Sequence, residues 1–111
     1  MFKEIINEFR RANGRHPVSM DNWDENQNCL WHCLHMARNQ DLCHAPEHLR
    51  PGKSEACAVR GFFHNPYDTL RAIIFEQFGN SPGHRDIILF NDNLACAFHV
   101  DQYQVYVTIR G

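Results

Sequence analysis

The sequence predicts an α+β domain in which helices come first and an antiparallel hairpin closes the chain. Three observations lead there. Apolar residues recur at helical spacing over Phe2–Ala12, again from about residue 23 to 39, and again from Pro66 to Phe78. Residues 94–100 and 103–109 then alternate apolar and polar about a break at Asp101-Gln102, the pattern of two paired strands. A length of 111 residues suits one domain with one core, which the helical stripes must share with the sheet.

Each element carries its own signals. Phe2, Ile5, Ile6, Phe9 and Ala12 form the stripe of the first helix, with Lys3, Glu4, Glu8, Arg10 and Arg11 on its other faces and Gly14 as its stop. Pro17 disfavours helix at His16, so Arg15–Asp21 reads as a loop. Asn22 followed by Glu25 has capping-box spacing, and Leu30, Cys33, Leu34 and Ala37 supply the expected stripe of a second helix. Pro46, Pro51 and Gly52 make residues 41–54 a surface loop, the kind of segment where functional residues gather. Ala56–Val59 is a short strand candidate. Asn65 as cap, Pro66 at the first helical position and Asp68 in the first turn start a third helix that Gly79 ends. His84–Phe90 winds into a further short helical segment that Asn91-Asp92-Asn93 stops.

Composition narrows function mainly by exclusion. Hydrophobic residues at 43% and charged residues at 22% describe an ordinary globular chain. Eleven basic and 13 acidic residues, scattered without runs, give a net charge of −2 and no footprint for nucleic acid. No stretch reaches the roughly 18 apolar residues that cross a bilayer. The amphipathic, charged first helix is no signal-peptide core. A trimmed mature chain and an intracellular protein share that absence, so secreted, envelope and cytoplasmic locations all stay open. Five cysteines, Cys29, Cys33, Cys43, Cys57 and Cys96, suit a disulfide framework, but the odd count leaves one thiol over in a monomer. Cys29 and Cys33, four apart on a helix, read as small core hydrophobes; a Cys43–Cys57 bridge would close a loop around the candidate site.

The run Asn80-Ser81-Pro82-Gly83-His84-Arg85-Asp86-Ile87-Ile88-Leu89, with His44 and Glu55 upstream and Asn7, Arg10, Arg11 and Pro17-Val18 near the start, resembles the CAP superfamily. This group comprises the cysteine-rich secretory, antigen 5 and pathogenesis-related proteins; the likeness is to its short bacterial members and spans nearly all of residues 1–111 as a single CAP-like (SCP-like) domain. It implies a three-layer α/β/α sandwich around a small antiparallel sheet, a secreted or cell-envelope location, and a His/Glu-lined cleft that holds a divalent metal in some members. Carried over residue by residue, His44 and His84 are the expected metal ligands, and Glu55 and Glu76 the expected carboxylates, which would activate water if the cleft were catalytic. The sequence departs from the family's pattern at Ser54 and Ala56 beside Glu55, at Phe78 where a tryptophan is usual, and in placing Glu76 before that aromatic.

The chemistry of such a set follows from its residue types. Neutral imidazoles are good ligands for zinc, copper or nickel, zinc being the cofactor expected first, and a carboxylate that accepts one ring N–H orients the ring. A catalytic zinc takes three protein ligands and an open position, so two histidines imply loose binding. Three functions are therefore expected in turn. The first is a non-enzymatic module presenting the cleft to a peptide, lipid, glycan or protein partner. The second is a metal-assisted, peptidase-like hydrolase. The third is a purely structural domain in which His44, Glu55 and His84 form a buried polar network. Cys43 beside His44 is weighed as a nucleophile and set aside, because neighbouring side chains diverge. His16, His32, His35, His48, His64 and His99 are read as surface or hydrogen-bonded residues, and Trp23, Trp31 and the phenylalanines as core and rim packing. Arg85 is expected to form an ion pair.

Overall fold

The computed structural model describes residues 1–62 and 65–111, so His64 lies outside the described residues. Helices α1 (Phe2–Ala12) and α2 (Trp23–Asn39) come first, and a single 3₁₀ turn, Glu47–Leu49, interrupts the loop that follows. Strand β1 (Glu55–Gly61) leads to α3 (Pro66–Ala72), which runs without a break into a π-helical turn over Ile73–Phe78. Helix α4 (Pro82–Leu89) and the hairpin β2 (Ala95–Val100) and β3 (Gln104–Arg110) complete the α+β fold.

The sheet is antiparallel with order β1-β3-β2, so the C-terminal strand is central. Alternation along each strand assigns the two faces. Ala56, Ala58, Cys96, Val105, Val107 and Ile109 join Phe2, Ile5, Ile6 and Phe9 of α1, Leu70, Ile73, Ile74 and Phe78 of the third helical segment, and Ile88 and Leu89 of α4 in the main core. The opposite face carries Cys57 and Tyr106, which pack on Cys33 and Met36 of α2. Glu55 and Arg110 are directly paired across the strands on that second face. Ser54 and Gly111 exchange backbone hydrogen bonds just beyond them, at 2.9 and 3.1 Å.

The caps act as expected. Asn22 accepts from the Glu25 backbone N–H at 3.1 Å, and Asn65 from that of Asp68 at 2.9 Å. The stripe of α2 is rotated from its expected position. Cys29, His32, Cys33 and Met36 are buried, whereas Leu30, Leu34 and Ala37 are only half-buried. The reason is close approach: the Cys33 thiol sits 3.3 Å from Thr108 Oγ1 and 3.5 Å from the Ala97 carbonyl, contacts a branched side chain could not make. The same rotation turns Trp31 outward at 67% exposure, and Trp23 at the helix start is 70% exposed, so neither is core. Arg10 is likewise not on a solvent face but fully buried.

Gly79 ends the π-helical turn under crowding. A Cβ there would lie 2.2 Å from the Phe75 carbonyl oxygen and 3.3 Å from the Phe9 ring. Gly79→Ala is expected to destabilise the fold by about 1–3 kcal/mol, measured by chemical denaturation, because the backbone rather than a flexible side chain must give way.

Candidate functional site

Glu55 is the point around which the loop 41–54 is organised. Its side chain is wholly buried at the start of β1. Oε1 accepts from the Ala45 backbone N–H and from His44 Nδ1, both at 2.9 Å, and Oε2 accepts from Arg110 Nε at 2.9 Å. Arg50 closes the loop over it, donating from Nε to the Ala45 carbonyl at 2.8 Å and from Nη1 to that of Lys53 at 3.0 Å. Burial pushes the Glu55 carboxyl up, but the Ala45 amide, His44 and Arg110 outweigh it, and the group ends below the usual carboxylate range. It is an anion in the folded protein at neutral pH.

This anchoring sets the state of His44. A carboxylate can only accept, so Nδ1–H donates and Nε2 holds the lone pair. The ring is 58% exposed, and Nε2 has no protein partner among the described residues. His84 comes from a different element. Pro82 occupies the first turn of α4 and Gly83 follows without a neighbour within 4 Å of a would-be Cβ, which sets His84 against the Phe78 ring with 5.0 Å between centroids. Burial comes first in lowering its pKa, and a proton on His44 would lower it further, so it stays a neutral imidazole at pH 7. His44 is bonded directly to Glu55, and His84 is electrostatically coupled to His44. Glu76 does not share those contacts: it is 67% exposed and 4.0 Å from Arg60, a surface pairing. Arg85 donates to Asn13 Oδ1 at 2.7 Å instead of pairing with a carboxylate.

His32 is the residue that sequence reasoning passed over. Its ring is buried, and ligand atoms of His32, Glu55 and Cys57 lie within 4.8 Å of one another, a spacing compatible with a shared divalent ion. The protons, however, are placed for hydrogen bonding. His32 Nε2 lies 2.6 Å from the Cys43 carbonyl and must donate to it, which leaves no lone pair on that nitrogen. Burial, with the Glu55 charge beside it, pushes the Cys57 thiol far up, so it remains an S–H. Arg110 supplies a cation at 2.9 Å from the shared carboxylate. An ion there has to displace two protons next to a guanidinium, whereas His44 Nε2 and a neutral His84 have their lone pairs ready. A stripe drawn through Cys29 and Met36 would have found His32, which stands three residues after the first and four before the second.

All five cysteines are free thiols, so the Cys43–Cys57 bridge is not formed. Burial pushes the Cys29 and Cys33 thiols to about 12 and Cys96 to about 11, the values of core residues. Cys43 is also raised, by burial and then by Asp41 and Glu55, so it is no activated thiolate beside His44. Compared with protein-family models and with curated proteins, the chain shows no match.

Proposed function

We propose that the chain is a non-enzymatic module of CAP type, residues 1–111, that takes a divalent transition metal of the zinc class between His44 and His84 and presents that cleft to a peptide, lipid, glycan or protein partner. One observation carries the reading. A wholly buried carboxylate, held by Arg110 and a backbone amide, spends its remaining hydrogen bond on fixing a solvent-facing histidine in the tautomer that binds metal. A merely structural histidine gains little from being held exposed. Ser81-Pro82-Gly83 opens α4, and His84 lies against the Phe78 ring.

Glu55 is a positioning residue in this reading. Neither of its oxygens is open to water, so it fits orientation better than water activation, which is the observation that sets presentation above hydrolysis. Zinc titration followed by calorimetry is expected to give one ion per chain. Affinity should collapse in His84→Ala and His44→Ala and fall about 10–100-fold in Glu55→Gln, the usual effect of removing an orienting partner. His84→Ala leaves all five thiols in place, so undiminished binding in that variant would overturn the assignment. Turnover on peptide or ester libraries by the zinc-loaded protein, lost in Glu55→Gln, would replace presentation with catalysis.

A further inference from the structure

A cavity of about 470 Å³ opens between α2 and the 45–49 segment, and Arg38, Trp31, Leu34, Pro46, Leu49 and Arg110 are among the residues lining it. That volume falls inside the range of roughly 300–1,000 Å³ that small-molecule sites occupy. Its walls are largely apolar, and Trp31 and Leu49 stand at 67% and 58% exposure, large apolar groups that the fold itself does not cover.

Arg110 makes this more than an apolar groove. Its side chain is only 3% exposed, and its Nε donates to Glu55 Oε2. Its two Nη groups take no protein acceptor among the described residues. No side-chain nitrogen or oxygen fully shut off from solvent lacks a partner among those residues, so the Nη groups must meet open space, and the space that Arg110 lines is this cavity. A guanidinium presents its paired N–H groups in a plane that matches a carboxylate. The charge also fits: Arg110 and Arg50 surround the single Glu55 carboxylate, and Arg38 adds a third cation at the wall, leaving local positive charge in a chain whose net charge is −2.

We propose that this cavity binds a small aromatic carboxylate, its carboxylate on the Nη groups of Arg110 and its ring between Trp31 and the Leu49–Pro46 wall. The site shares no ligand-binding atom with His44 or His84 and stands or falls independently of metal binding. The apolar wall distinguishes it from a bare anion site, and Arg110 at its base distinguishes it from a nonspecific greasy cleft.

The test uses 4-phenylbutyrate against its uncharged amide, followed by calorimetry and by Trp31 fluorescence in a Trp23→Phe background. The acid is expected to bind saturably and to shift the ¹⁵N resonances of the Arg110 side chain, with the amide about tenfold weaker or more, as the loss of a charge-assisted pair requires. Trp31→Ala and Leu49→Glu are surface changes outside the Glu55 network; both should weaken the acid, the second by placing a competing carboxylate at the rim. Absence of saturable binding, equal binding of the amide, an unmoved Arg110 signal, or inorganic phosphate competing as well as the acid would each overturn the proposal. So would undiminished binding in both rim variants.

Discussion

Replacing Arg10 with methionine is expected to cost the fold on the order of 4 kcal/mol, which lowers the melting temperature by about 15 °C in a domain of this size. Arg10 is completely buried although it sits on α1, and each of its nitrogens has work there. Nε donates to the His16 carbonyl at 2.9 Å, fastening the loop after α1. Nη1 donates to the carbonyls of Ile88 and, at 3.1 Å, Asn91, and Nη2 reaches Asp92 Oδ1 at 3.2 Å. The Ile88 carbonyl belongs to the last turn of α4, where unpaired carbonyls and the negative helix end both favour a cation. Methionine keeps most of the volume and removes every donor, so the cost is that of stranded carbonyls rather than of a cavity. Arg10→Lys retains the charge but can serve only some of the acceptors, and should recover roughly half of the loss. If denaturation of Arg10→Met showed a change under about 1 kcal/mol, water would have to replace all these bonds, which the complete burial of the side chain argues against.

Arg10 also shows where the sequence was legible and where it was not. Periodicity and caps placed α1, α2, the Pro66 helix, the short α4 and the terminal hairpin, because those signals are local: Asn22, Asn65 and Pro66 act within one turn of themselves. A charged residue inside the core leaves no local trace. Arg10 looks like any polar-face arginine until the ends of α1 and α4 are brought together, a contact 78 residues long in sequence. The rotation of α2 was hidden for a related reason. Leucines outweigh cysteine and histidine in any count of apolar residues, yet it is the Cys33 thiol that closes on Thr108 and Ala97 of the sheet, and Trp31 is turned out as a result. At the site, His44 and Glu55 were named together through the family resemblance, and the structure brings them to 2.9 Å. Arg110 was not, since its partnership with Glu55 depends on strand register across 55 positions. Glu76 was named from its nearness in sequence to Phe78, but the π-helical turn that buries Phe78 leaves Glu76 on the outside.

Glu55→Ala is the second large effect, expected at about 3–5 kcal/mol, because it leaves the Arg110 cation buried beside Cys57 and α2 without its counter-charge. The opening of the Arg110 Nη groups to the α2 cavity places the value toward the lower end. Glu55→Gln keeps the shape but turns one acceptor into a donor, which must face either Arg110 Nε or the Ala45 and His44 donors; about 2 kcal/mol is expected. The pH dependence separates charge from shape. The ordinary carboxyl value is 4.5 and the folded value lies below it, with burial opposed and outweighed by the Ala45, His44 and Arg110 hydrogen bonds. A depressed folded pKa means that the unfolded chain takes up the proton first, so this contribution is complete above about pH 4.5 and is lost as the pH falls through the lower, folded value. Wild-type stability should therefore decline on acidification below pH 4.5, and Glu55→Gln, with no proton to take up, should decline less steeply over the same window. Urea denaturation of both proteins from pH 6 down to pH 3 measures the difference. Parallel curves would mean that Glu55 is not the buried anion that orients His44, and would remove the physical basis of the metal site and of the Arg110 pairing together.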